Sequence, residues 1–397
     1  MPEVHRKVTY RLYPTPRQEA VLLDLKGAHQ RLYNAALEQR ISAYRLTGTS
    51  LTFAEQCRDL TGLRASDPVY AAINAQSEQV TLKRLDLAFA AFFRRAAAGQ
   101  TPGFPRYKSF ERFSGWGYKS HGDGWRLFPG ERDAHGHIRL SGVGEVRMRG
   151  KARTPGTPVT CEIQHKGERW YASVTVRCAP VRERGTKAVG LDWGVETFAT
   201  LATPGGAFER VANPRFTREE APRLAKAQRE LARKRLGSKN RKKARRRVAA
   251  IHRKIALRRA DFVHQTTARI VGDSALIATE KLNITGMTAG GGSRKAGLNR
   301  EILSTSPGAF LRALQSKAEE AGVEYVEVPT RSVKPSQTCP GCGRQRKKAL
   351  SERDHSCECG CELGRDEAAA LVCVRWALTG VAHGREPAVC GAGTAPR

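Results

Sequence analysis

The chain has 397 residues and carries 69 Lys and Arg against 38 Asp and Glu, a formal charge of +31 at pH 7. That excess repels itself in a folded molecule and calls for a polyanionic partner, with nucleic acid ahead of an acidic membrane surface. No stretch offers the ~20 apolar residues that span a bilayer, and residues 1–24 lack the apolar core and cleavage site of a secretory signal, so the expectation is a cytoplasmic protein of bacterial type, held at the nucleoid when bound to DNA.

In chain order, residues 5–13 alternate like a strand and stop at Pro14, after which Thr15 and Pro16 open a helix. Val21, Leu22, Leu25, Ala28, Leu32, Ala35, Ala36 and Ala43 then recur at helical spacing. Further helical patterns cover 52–65 and 75–97, the second ending in Phe92, Phe93, Arg94 and Arg95, and a Gly- and Pro-rich linker follows at 99–105. Residues 110–178 change to Gly, Trp, Tyr and β-branched residues, with strand patterns at 125–128, 137–140, 145–148, 159–164 and 170–176. They predict a β-barrel completed by the first strand.

Past residue 187 the period changes again. Residues 188–194 predict a buried strand, 198–203 its hairpin partner and 207–212 a third strand. One long basic helix is expected from about 218 to 271. A strand at 275–280, a Gly-rich loop at 289–292, a helix near 308–321, a strand at 323–328 and an Ala-rich helix at 366–378 complete the order. Three strands, helix, strand, helix, strand, helix is the order of an RNase H-like sheet, with a cysteine-rich module inserted before the last helix.

Three carboxylates fall where such a sheet would gather them: Asp192 inside the first strand, Glu280 at the end of the fourth, and Asp366 at the start of the last helix. A charge within an apolar strand is costly unless paired or metal-bound. Clustered carboxylates can hold two Mg²⁺ ions for phosphodiester hydrolysis. Taken singly, Asp366 reads more readily as a helix cap and Glu280 as a strand-end charge; their joint placement favours the metal reading.

Five of the ten cysteines, Cys339, Cys342, Cys357, Cys359 and Cys361, lie within 23 positions, beginning with a C-x-x-C turn. In a cytoplasmic setting this spacing points to a tetrahedral Zn²⁺. Residues 223–259 hold seventeen Lys and Arg against one Glu. Such a density repels itself along a helix and predicts phosphate contacts, with Arg241, Lys242, Lys243, Arg245, Arg246 and Arg247 the leading candidates and Arg106 and Lys108 behind them. Trp116, Tyr118, Trp125 and Phe128 have a composition suited to base stacking, although at least two are expected in the core. Phe92, Phe93 and Trp376 are assigned to packing.

These pieces, in this order, resemble the TnpB family of transposon-encoded proteins, relatives of the type V CRISPR effectors. The resemblance runs nearly end to end: residues 7–15; Leu82, Leu85, Ala88, Phe92 and Phe93 followed by Pro105, Arg106, Tyr107 and Lys108; residues 190–195; His252, Lys254, Arg259, Asp261, Phe262 and His264; Glu280, Lys281, Leu282 and Asn283 with Gly286 and Met287; Ser336, Gln337, Thr338 and Cys339; and Gly364, Arg365 and Asp366.

The resemblance implies a multidomain α+β protein. Residues 1–15 would supply the first strand of a wedge β-barrel, 16–103 a helical recognition domain and 104–183 the rest of the barrel. Residues 184–332 would form the first part of a RuvC-like nuclease domain, 333–363 a zinc-ribbon insertion that binds target nucleic acid, and 364–397 the last nuclease helix and a tail. It implies RNA-guided cleavage of double-stranded DNA beside a short adjacent motif, with a guide RNA encoded near the gene. Asp192, Glu280 and Asp366 would be the catalytic carboxylates holding two Mg²⁺.

One Zn²⁺ would be held by Cys339, Cys342, Cys357 and Cys359, with Cys361 or His355 as alternatives for the third position. Ser356 stands where the family has the first cysteine of its second pair, Gly364 where it has an aspartate, and Ala368 where it has an asparagine. A monomer is expected, with a dimer left open. The competing readings are a miniature type V effector guided by a CRISPR RNA, a nuclease-inactive RNA-guided repressor, and an RNA-binding protein without a DNA target.

Overall fold

The computed structural model describes residues 3–130, 135–149, 156–349 and 351–380, so the predicted tail beyond residue 380 lies outside the described residues. The chain divides into two compact units, Met1–Ala179 and Pro180–Arg397. Among the described residues no helix is long and apolar enough to cross a membrane.

The first unit begins with β1 (Val4–Tyr13), which leads directly into α1 (Pro16–Thr47). Thr15 turns the chain: its hydroxyl accepts from the Gln18 amide while the Gln18 side chain accepts from the Thr15 amide, a reciprocal cap. Gly48, at φ +67°, ends the helix in the left-handed conformation that glycine adopts without steric cost. The same Thr-to-N3 cap, Thr52 with Glu55, opens α2 (Phe53–Ser66). After α3 (Pro68–Ala71), Asn74 caps α4 (Ala75–Ala97). The helices share a core of Leu32, Leu37, Leu60, Leu82 and Leu85.

Six strands follow: β2 (Gly115–Tyr118), β3 (Trp125–Phe128), β4 (His137–Leu140), β5 (Gly144–Arg149), β6 (Thr157–Lys166) and β7 (Arg169–Cys178). With β1 they form one antiparallel sheet in the order β2-β6-β7-β1-β5-β4-β3. The first strand does join this sheet, as expected, and takes its central position. The end strands β2 and β3 do not pair, so the sheet is an open half-barrel and not the closed barrel predicted from the strand patterns. Trp116, Tyr118 and Trp125 are buried in its core with Trp170, which withdraws them from base stacking, while Phe128 stays partly exposed against His137. Phe93 corrects the packing assignment: its ring touches Phe89 and Phe92 but 57 % of it faces solvent.

The second unit is built on a five-stranded sheet of β8 (Lys187–Trp193), β9 (Thr197–Ala202), β10 (Phe208–Ala212), β11 (Ser274–Glu280) and β12 (Glu324–Val328), in the order β10-β9-β8-β11-β12. The first three strands form an antiparallel meander, and β11 and β12 add in parallel to β8. This is the RNase H-like arrangement expected from the element order.

The predicted single basic helix is two helices, α5 (Phe216–Ala232) and α6 (Lys239–Asp273), folded into a hairpin. Gly237 turns at φ +78°, the Ser238 hydroxyl caps the Arg241 amide, and the Arg241 guanidinium donates to the Leu231 and Lys234 carbonyls. The loop expected at 289–292 is present, and two helices that the residue pattern does not reveal, α7 (Ile284–Met287) and α8 (Ser293–Thr305), flank it.

One face of the sheet packs on α6 and α9 (Pro307–Ala321) through Phe198, Ile270, Ile277, Phe310 and Leu314. The other face is covered by the terminal helix, which we label α11 (Arg365–Thr379) after the one-turn α10 (Thr330–Val333). Gly190 sets the distance on that face, because a Cβ there would overlap the Ala370 carbonyl of α11. Gly190→Ala should therefore push the helix off the sheet and destabilise the second unit by about 3 kcal/mol. Thermal or denaturant unfolding of the variant measures this, and an unchanged midpoint would contradict the packing argument.

Candidate active site and metal centre

Asp192 is the penultimate residue of β8 and pairs with Thr200 of β9. On its other side the parallel register runs Ala278 to Gly190 and Thr279 to Leu191. The next step brings Asp192 and Glu280 side by side at the carboxyl ends of neighbouring parallel strands. Asp366 reaches the same end from the first turn of α11; a Cβ on Gly194 would lie 4.0 Å from its Oδ2.

The three carboxylates act on one another. Burial pushes the Asp192 carboxyl well above the usual carboxylate range, and the charges of Glu280 and Asp366 push it further, against the pull of Arg365. Burial also raises Glu280, again opposed by Arg365. A half-buried group of three acids with one nearby guanidinium lacks positive charge, and divalent cations would supply it. Among the described residues, the groups whose ligand atoms all lie within 4.8 Å of one another are made of Cys and His, so the carboxylates are spread wider than a single-ion cage.

The helix-cap reading of Asp366 does not hold. Gly364 is the cap residue, its amide donates to Glu367 Oε2 at 3.0 Å, and Arg210 donates to Glu367 Oε1 at 2.7 Å. Glu367 closes the helix start and pairs with the sheet, while Asp366 does neither. A side chain at position 364 would crowd these same groups, with its Cβ 3.0 Å from Glu367 Oε2. Ala368, where an asparagine is expected from the resemblance, is buried. Sequence reasoning missed Arg210, Arg365 and Glu367, and also Cys373, a buried thiol held protonated by burial and by the charges of Glu280 and Asp192.

The cysteines form a second centre beside two short strands, β13 (Asp354–Ser356) and β14 (Glu362–Gly364). The sulfurs of Cys339, Cys342, Cys357 and Cys359 all lie within 4.8 Å of one another, with Cys339–Cys359 and Cys342–Cys357 at 3.6 Å. A tetrahedron with Zn–S bonds of about 2.3 Å has edges of about 3.8 Å. Backbone amides point at the sulfurs. The amide of Cys359 is the chief cause that lowers the Cys357 thiol to about 7; at Cys342 the Arg344 amide also pulls down, but burial and the Cys357 and Cys359 thiols outweigh it and leave that thiol raised. This four-cysteine cluster fits zinc. Cys361 and His355 make a separate, buried group with Cys339, and the His355 Nδ1 contacts the Lys348 ammonium.

The basic candidates divide by role. Lys242, Lys243, Arg245 and Arg246 are exposed on α6. Arg247, also exposed, pairs with Glu230 at 3.5 Å, and Arg241 is spent on closing the α5–α6 turn. Between those helices runs an open groove of about 530 Å³, walled by Arg223, Lys226, Arg247 and Lys254 over a floor of Ala227, Ala250 and Ile251. In the first unit Arg106 is exposed, and the backbone at Lys108 is held by Asn34 and Gln30.

Residues 159–289 match the OrfB family of IS605 type, described as "probable transposase", and span Asp192 and Glu280. Residues 308–373 match the Cas12f1-like TNB domain and span all five clustered cysteines and Asp366. A Streptomyces pristinaespiralis protein to which RNA-guided DNA endonuclease activity is ascribed is 30 % identical over 410 residues, covering 100 % of this chain and 94 % of the relative. The chain belongs to the IS605 OrfB/TnpB family.

A solved Cas12f1 chain, from a complex with sgRNA and target DNA, shares the fold of this TnpB-family chain at a TM-score of 0.60 with 12 % identity, over 93 % of this chain and 98 % of the other. Residues 1–49 match a model described as a helix-turn-helix domain. In this family member they form a strand and one 32-residue helix instead.

Proposed function

We propose that this TnpB-family chain is an RNA-guided DNA endonuclease that cleaves double-stranded DNA beside a short adjacent motif at the centre formed by Asp192, Glu280 and Asp366. The observation that carries the reading is the convergence of these three mutually repelling carboxylates at one end of an RNase H-like sheet. The activity ascribed to the Streptomyces relative supports it, as do the sgRNA and target DNA held in the Cas12f1 complex.

Asp192 and Glu280 present oxygens from two rigid parallel strands, and Asp366 presents one from α11 across from them. Two Mg²⁺ bound by this set would supply activation of a water and stabilisation of the leaving oxygen. The buried β8 and β11 cores hold the ligands in register, and Arg365 tempers their repulsion. Cys339, Cys342, Cys357 and Cys359 would hold one Zn²⁺ that shapes the ribbon 333–363. Lys242, Lys243, Arg245 and Arg246, with the α5–α6 groove, would follow a phosphate backbone without reading its sequence. Base pairing with a guide RNA encoded near the gene would select the target, and the helical and half-barrel parts of the first unit would read the guide's shape and the adjacent motif.

Protein expressed with its native flanking DNA should retain one defined RNA through purification. With roughly six to ten phosphate contacts, affinity for that RNA should fall about a thousandfold or more between 50 and 200 mM salt. RNA sequencing and filter binding at graded salt measure both. A heterogeneous mixture with no enriched species would remove the guide from the proposal.

A further inference from the structure

Arg365 stands where the cysteine ribbon meets the carboxylate cluster. It precedes Asp366 directly, and its positive charge is felt by both Asp192 and Glu280. A guanidinium so placed, beside three acids in a partly desolvated pocket, would ordinarily fold onto them in a bidentate ion pair. Among the described residues it does not: no ion pair within 4.0 Å joins it to Asp192, Glu280 or Asp366.

Its bonds run the other way, into the ribbon. Nη1 donates to the Ala349 carbonyl at 2.6 Å and to the Glu352 carbonyl at 3.2 Å, and the Arg365 amide donates to the Arg353 carbonyl at 2.7 Å. The strand pair Asp354–Gly364 fixes the same junction one residue away on each side. The acceptor segment lies between Cys342 and Cys357, two members of the four-sulfur cluster, which is closed at both ends of the segment. Whatever orders that cluster therefore orders the carbonyls that hold Arg365.

We propose that the ribbon holds Arg365 off the three carboxylates, so that the metal state of the cysteine cluster controls how well the nuclease centre takes divalent cations. The inference rests on the reading of the carboxylates as cation ligands. With the cluster metallated, Ala349 and Glu352 keep the guanidinium back and the pocket is open. With the cluster emptied, the carbonyls of Ala349, Glu352 and Arg353 lose their clamp, Arg365 turns onto the carboxylates, and it competes with the cations they would bind. Arg365 is thus a positioning residue, acting on the site through its own restraint.

Mn²⁺ alone serves as the probe, with free ion counted by electron paramagnetic resonance on full-length protein freed of nucleic acid. Asp192→Ala identifies the site by abolishing the binding in question. In zinc-loaded protein Arg365→Gln should bind Mn²⁺ within about twofold of wild type, since the guanidinium it lacks is already held back. After zinc is stripped and the chelator dialysed away, wild type should bind roughly tenfold more weakly, whereas Arg365→Gln should stay within about twofold of its zinc-loaded value.

Zinc-loaded Arg365→Gln that binds Mn²⁺ about fivefold tighter than wild type, or more, overturns the proposal without any need to remove zinc, because the guanidinium would already lie on the carboxylates. An equal loss in both proteins on zinc removal, or no loss in wild type, overturns the coupling while leaving the carboxylate site standing. Wild type without Asp192-dependent Mn²⁺ binding overturns the carboxylate reading as well.

Discussion

Asp192→Ala should lower DNA cutting by roughly a thousandfold or more, a barrier increase of about 4 kcal/mol, while guide and target binding stay within about twofold of wild type. The separation follows from where the charges sit. The carboxylates occupy the strand ends and first helical turn of the RNase H-like sheet, whereas the exposed cations lie on α6. Glu280→Ala and Asp366→Ala should behave alike, because each removes an oxygen ligand from the same cluster.

None of the three should unfold the protein. Burial and two neighbouring acids disfavour the charged form of Asp192 in the fold, so removing it relieves that cost, and the melting temperature should hold or rise. Glu367→Ala is the contrasting variant. It loses the Gly364 amide and the Arg210 pair, which should cost about 1 kcal/mol of stability and far less activity. Cleavage in Mg²⁺, gel shifts and thermal melts on the same preparations separate these effects. Wild-type cutting by any one of the three carboxylate variants would move the active site elsewhere.

Cys339→Ser should lose most of a zinc content of about one ion per chain and, with it, the fold of the ribbon. Among the described residues the ribbon's regular structure is two three-residue strands and one 3-10 turn (Pro335–Gln337), too little buried surface to hold itself without a metal. Cys342→Ser, Cys357→Ser and Cys359→Ser should lose the ion likewise, and Cys361→Ser should keep it, since Cys361 sits in the separate group with His355. Elemental analysis of the five variants decides the set. Zinc retained by Cys357→Ser and lost by Cys361→Ser would exchange those two ligands.

How much of this could be read from residues alone depends on the range of the interaction involved. The strand around Asp192 was legible because its apolar neighbours leave one charge with no local partner, and Glu280 and Asp366 followed from the element order. The break at 233–238 was not, because basic and apolar residues keep their helical rhythm through it and the deciding contacts are the Arg241 bonds to Leu231 and Lys234. The open edge of the half-barrel is likewise a tertiary fact: strand patterns give the strands but not whether β2 meets β3.

Within the site, Arg365 and Glu367 read as ordinary charges of a helix start. Their roles come from partners far along the chain, the 349–353 carbonyls and Arg210. The run from Cys357 to Cys361 left the third ligand open, with Cys361 and His355 as alternatives to Cys357. Only the folded distances between sulfurs separate them.

The central claim is that the bound RNA tells these three carboxylates where to cut. Its most direct measurement uses the RNA that co-purifies with the protein, sequenced and then rebuilt with its variable end exchanged for an arbitrary sequence. Each ribonucleoprotein is given Mg²⁺ and a library of duplexes carrying the matching target beside randomised flanks. The account predicts cleavage of duplexes that match the loaded RNA, at a position that moves with the exchanged sequence, and none by the Asp192→Ala protein. Intact duplexes with every RNA, or cuts that ignore the exchange, would contradict it.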